Sequence, residues 1–145
     1  METRNPTYQE MQALVAFLPR LYAEGFKPVV RWHGGDRGQD GVIHLPYPEY
    51  DPLVEDFYRL VASECWLDFG YNPEEAARMI RDEEFVRSAS LSQIKTMLTF
   101  CLRGERFSDG HWAEMIKGGY IRNILERIDQ LSMDVGDRRG SGEDG

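Results

Sequence analysis

Residues 103 to 111 read Arg-Gly-Glu-Arg-Phe-Ser-Asp-Gly-His, which places two guanidinium groups, a helix start and an imidazole within nine positions. A guanidinium offers planar paired donors to a carboxylate or phosphate. A helix start adds backbone N–H groups that have no partner inside the helix, and these attract the same anions. Arg103, Arg106, Ser108, Gly110 and His111 are therefore a candidate anion-binding site, with Ser108 to His111 expected to present unpaired N–H groups. His111 also titrates near neutrality, which suits a general base, although no sequence neighbour fixes a partner for it. The same residues support a purely structural reading. Both arginines would then pair with protein carboxylates or cap the carbonyls of the preceding helix, and His111 would bond locally. At this point both readings stand.

Other chemistry has less support. His33, His44, His111, Cys65 and Cys101 are the soft metal ligands of the chain, and no two stand at a zinc-ligand spacing, so no metal is assigned. No Gly-x-Ser-x-Gly elbow is present and no catalytic residue is assigned. The glycine-rich stretch His33 to Gly38 lacks the Gly-Lys-Ser/Thr of a phosphate loop and leads into a strand, so it reads as a hairpin tip and no cofactor is implied. The carboxylates Glu74, Glu75, Asp82, Glu83 and Glu84 are candidates for a partner-binding acidic face, or serve helix starts and solubility.

The elements that must position these groups follow from local signals. Thr7-x-x-Glu10 and Ser90-x-x-Gln93 have the spacing of capping boxes, and Asp51-Pro52 and Asn72-Pro73 pair an N-cap with proline at the first helical position. Helices are expected from Thr7, with Pro19 kinking or ending the first, then from Asp51, Asn72 and Ser90, the last ending at Gly104. Ser108 is expected to cap a short helix stopped by Gly118-Gly119, and a final helix spans Tyr120 to Leu131. Val29 to Trp32 and Val42 to Leu45 read as strands joined by a long polar loop, with Trp66 to Phe69 as a third. The proline-rich run Leu45 to Pro52 reads as a rigid connector, because a central strand does not tolerate its missing donors. The fold class is α+β, a small antiparallel sheet of two or three strands covered by five or six helices.

From Pro46 onward, the order Pro-x-x-x-Tyr, a helix, Ser90-Leu91, Leu98-Thr99 and then Arg103-x-x-Arg106-Phe107-x-x-Gly110-His111 resembles an uncharacterised bacterial domain family of unknown function. The nine-residue motif is the specific part. The resemblance implies a shared fold and a shared site at Arg103, Arg106, Phe107, Gly110 and His111, and it supplies no activity.

Composition bounds the rest. A chain of 145 residues, 41% apolar, builds one domain, here expected over 1–133, with an acidic glycine-rich tail expected to be disordered over 134–145. The net charge of −8 opposes general nucleic-acid or membrane binding. Two cysteines make no disulfide scaffold, and no apolar run approaches the roughly 20 residues of a membrane helix, so a cytoplasmic protein is expected. Whether the chain is an enzyme stays open, with a non-enzymatic reading favoured: an interaction or regulatory module, of the kind phages and plasmids carry as accessory inhibitors, engaging another protein. The alternative is a nucleotide or phosphate-ligand protein, or a phosphoryl-chemistry enzyme, with Arg103, Arg106 and His111 converging and Trp112 or Phe107 stacking on a base. A homodimer is compatible with either.

Overall fold

The computed structural model describes residues 3–35, 41–42 and 45–143, with side chains described up to residue 135. Helices begin where the local chemistry places them. Helix α1 (Tyr8–Val15) is closed by the reciprocal Thr7–Glu10 capping box, and Pro19 sits in the first turn of a short α2 (Leu18–Leu21). Asp51 accepts from the Leu53 N–H at the head of α3 (Pro52–Val61), and Asn72 does the same for Glu75 in α4 (Pro73–Arg81). Asp82 caps α5 (Glu83–Arg87), and the Ser90–Gln93 box opens α6 (Leu91–Arg103).

The sheet is an antiparallel pair, β1 (Val29–His33) with β2 (Tyr47–Tyr50), which makes the fold α+β. The second strand therefore lies inside the proline-rich run, corrected from the expected connector, with Pro48 opposite Trp32 and Tyr50 opposite Val29. Each strand of a two-stranded ribbon has an open edge, and there a proline is tolerated. Of the strand expected at Val42 to Leu45, Val42 and Leu45 lie in no strand, while Ile43 and His44, like residues 36–40, lie outside the described residues. No third strand forms at Trp66 to Phe69. A 3-10 turn takes Glu64–Trp66, the Leu67 carbonyl accepts from the Thr3 hydroxyl at 3.0 Å, and the Asp68 N–H donates to Thr99 Oγ1 at 2.9 Å, so side chains satisfy the backbone that a ladder would have used.

Two further helices complete the chain, α7 (His111–Lys117) and α8 (Tyr120–Glu143). Helix α8 continues past Leu131, where the sequence ended it, into residues read as a tail. Ser132 is fully buried and Val135 packs on the core, so the buried stripe of Ile121, Ile124, Leu125 and Ile128 runs on at helical spacing. Its main partner is α1, where Gln12 Nε2 donates to Asp129 Oδ1 at 2.9 Å and meets the Ser132 hydroxyl at 2.6 Å. Met11 and Leu14 on that face of α1 are buried.

Through the core runs a chain of aromatic rings: Phe17 on Phe57 at 5.4 Å, Phe57 on Tyr58 at 5.0 Å, Tyr58 on Trp112 at 4.4 Å, and Trp112 on Tyr50 at 5.2 Å. It links the interior to the 103–111 segment. Buried Lys95 donates to Thr3 Oγ1 and to the Arg4 carbonyl, both at 2.9 Å, which ties the start of the described chain to α6.

Burial also makes the fold sensitive to alkali. The Tyr22 hydroxyl donates to the Ile116 carbonyl at 2.7 Å and accepts from the Arg122 N–H at 3.0 Å, and burial pushes its pKa up to about 12 from the usual 10.0. Burial raises Tyr58 as well. The folded protein thus holds these phenol protons more tightly than the unfolded chain. The associated stability is complete below pH 10 and is lost as pH rises towards about 12. Melting temperature should fall through that window, and fall less steeply in Tyr22→Phe. A flat profile would contradict the assignment.

Candidate functional site

Helix α6 ends at Gly104, which is right-handed at φ −60°, and the chain continues through a 3-10 turn at Gly104–Arg106 to Gly110. Gly110 is left-handed at φ 91° and caps α7, so the expected Ser108 cap is corrected. A side chain at Gly110 would be strained by that φ and would meet the Trp32 indole at 2.9 Å, since the hairpin leans over this turn. Of the four N–H groups expected to be unpaired, those of Ser108, Gly110 and His111 are engaged. Ser108 donates to the Gly104 carbonyl and His111 to the Ser108 carbonyl, each at 3.1 Å.

Glu105, from inside the motif, supplies the anion. Its Oε2 accepts from the Gly110 N–H at 3.0 Å, while Oε1 accepts from the Trp112 N–H at 2.9 Å and from the Tyr50 hydroxyl at 2.7 Å. Burial and this carboxylate both push the Tyr50 pKa upward. The head of α7 is therefore filled by the protein itself, for the reason that made it attractive to an outside anion. Glu105 had no role in the sequence reading. An acidic residue shortly before a glycine-led helix start was the signal that could have found it.

Arg103 and Arg106 come together. They line one cleft of about 500 Å³ with Ala62, Leu67, Leu102, Glu105 and Trp112. The Arg103 guanidinium stands 5.4 Å from the Tyr71 ring centre and 6.0 Å from that of Phe69, a cation–π arrangement that also fixes its direction. Among the described residues neither arginine has an ion pair with a carboxylate. Arg106 is exposed, and Phe107 beside it is 84% exposed.

His111 does not join them. It lies across Gly104, in the wall of a separate cavity of about 230 Å³ with Tyr71, Pro73, Phe100, Phe107 and Ser108. The imidazole is buried, its ring centre 5.2 Å from that of Phe100, and Nε2 has no hydrogen-bond partner among the described residues. Burial lowers its pKa, against the pull of the Glu105 and Glu114 carboxylates and a hydrogen bond to the Phe100 backbone. The ring fits only because position 104 is glycine: a Cβ there would collide with Nε2 and its two ring neighbours. Nor is Trp112 available for a base. It is stacked on Tyr58 at an interplanar angle of 10°, touches Tyr50, and donates from Nε1 to the Leu102 carbonyl at 2.9 Å.

The model of a family of unknown function, DUF6508, matches residues 6–134, which include every element from α1 through the buried part of α8. The chain belongs to this family. No curated protein matches it, and no solved structure does.

Elsewhere in this DUF6508 chain, the acidic residues have local work. Glu74 and Glu75 occupy the first turn of α4, and Glu83 and Glu84 that of α5, where helix dipoles favour carboxylates. Asp82 accepts from the Phe85 N–H at 3.1 Å, and Glu83 lies 3.8 Å from Arg87. All are exposed, yet Arg78, Arg81 and Arg87 alternate with them, so the surface is mixed in sign. The hairpin exposes Trp32 and Tyr47, each 54%, while Trp66 and Tyr50 are core. On its outer side Glu49 joins His33 at 2.9 Å and Arg31 at 3.5 Å. No helix among the described residues is long and apolar enough to cross a membrane.

Proposed function

We propose that this DUF6508 protein is a non-enzymatic interaction module, and that its contact face for a protein partner is the turn bearing Arg103, Arg106 and Phe107. One observation carries the reading. Phe107 is the most exposed large apolar side chain among those described, at 84%, and it adjoins an arginine with no ion pair. Arginine and aromatic side chains are the types enriched at the energetic centres of protein interfaces. The turn that presents them is anchored by the Glu105 hydrogen bonds and by Trp32 against Gly110, which favours a low ordering cost on binding. The acidic residues at the starts of α4 and α5 become secondary contacts in this reading. Phosphoryl chemistry is disfavoured, because His111 does not line the arginine cleft and Trp112 is committed to its neighbours.

The variants Arg106→Ala and Phe107→Asp test the proposal. Each should leave unfolding free energy within about 0.5 kcal/mol of the parent, since neither side chain is packed. Each should also abolish recovery of whatever protein the parent captures from its host. A large stability loss in Arg106→Ala would mark that arginine as an internal strut. Undiminished capture by both variants would remove the face from consideration.

A further inference from the structure

We infer that the cleft between Arg103 and Arg106 is a receptor for the C-terminal end of a partner polypeptide, taking its terminal carboxylate on the two guanidinium groups and its last, apolar side chain on the cleft floor. This rests on the interaction reading above and names the chemistry of the partner.

The composition of the cleft selects the ligand. Its arginines favour an anion in a chain that is otherwise strongly acidic, and Arg103 is held in direction by Tyr71 and Phe69. Its remaining lining residues are Ala62, Leu67, Leu102 and Trp112, whose side chains are largely apolar. Glu105, the carboxylate that also borders the cleft, is turned to three donors of its own, the Gly110 and Trp112 N–H groups and the Tyr50 hydroxyl. An occupant must therefore bring one negative charge and one apolar group within a few ångströms of each other. A chain terminus does so, because carboxylate and side chain share one Cα, and capture of such termini is a recurring mode of peptide recognition. Bare phosphate would leave the apolar walls uncovered. A nucleotide would need an aromatic face in the cleft wall, and Trp112, the aromatic residue lining it, is stacked on Tyr58 and against Tyr50. A volume of about 500 Å³ lies in the range that small ligands fill, enough for a terminal residue and part of the next.

The Trp112 indole N–H is a reporter at the site, and its amide-type resonance can be followed by heteronuclear NMR on the full chain. N-acetyl-leucine and its C-terminal amide, N-acetyl-leucinamide, are the probes, each raised to about 20 mM, weak binding being the rule for a single residue. The acid is expected to shift the Trp112 signal saturably. The amide and Arg106→Gln should each weaken the effect about ten-fold, as expected for loss of a charge-assisted bidentate contact. Equal shifts from acid and amide would overturn the carboxylate assignment. Equal competition by inorganic phosphate would show an unspecific anion site and overturn the terminus. Absence of any shift would overturn the cleft as a receptor while leaving the capture experiment with Phe107→Asp free to succeed, so the two readings fail separately. If Arg106→Gln were to misfold, the acid-to-amide comparison on the unaltered protein still decides.

Discussion

Glu105→Ala should cost about 4 kcal/mol of stability, the largest loss expected of any substitution in the motif. The carboxylate satisfies two backbone N–H groups at the head of α7 and the Tyr50 hydroxyl, and alanine satisfies none. A buried donor left without an acceptor costs about 1–3 kcal/mol, and water reaches only part of this half-buried position. Glu105→Gln should cost less, about 2 kcal/mol, because one carbonyl oxygen remains while the amide N–H faces donors. Urea unfolding of the three proteins measures both values. A double-mutant cycle with Tyr50→Phe should return a coupling of about 1 kcal/mol for the bond that joins hairpin to turn. If Glu105→Ala unfolded within 1 kcal/mol of the parent, on the scale of an ordinary surface substitution, the carboxylate would not be what holds the turn.

Gly104→Val comes next, at about 3 kcal/mol. The backbone there is ordinary right-handed helix, so conformational freedom is not what glycine provides. It provides absence of volume, since a Cβ would strike the His111 ring. That ring is buried against Phe100 and cannot swing away without opening its own cavity, and overpacking of this kind costs about 1–3 kcal/mol. The melting temperature should drop by roughly 10 °C. Gly104→Val in a His111→Ala background should recover much of the loss, because the obstructing ring is gone. Failure of that rescue would place the clash elsewhere.

How much of this was legible beforehand divides along the range of the interactions. Helix starts at Thr7, Asp51, Asn72 and Ser90 were readable because a cap and its N–H partner lie within three residues of one another. The pairing of β1 with β2 was not. Register is decided between segments far apart in sequence, and the prolines that argued against a strand forbid only a central one. Grouping of the motif was legible, its inner geometry less so. Arg103 and Arg106 share a cleft, but His111 lines a separate cavity, its ring packed against Gly104 and Phe100. The filling of α7's head by Glu105 was hidden for a different reason. An internal carboxylate and an external anion satisfy the same donors equally well, and only the fold decides which arrives first. Trp32 over Gly110 was invisible locally, since the contact spans the whole central part of the chain.

Helix α1 finds its main surface on α8, with Gln12 bonded to Asp129 and Ser132. On a ribosome those partners emerge on the order of ten seconds after α1 itself, at ordinary elongation rates. Throughout that interval α1 has α3 to pack on but not its main surface, and it is too short to persist as an isolated helix. The nascent chain therefore waits, with part of α1's apolar stripe open to chaperones, until α8 has been made.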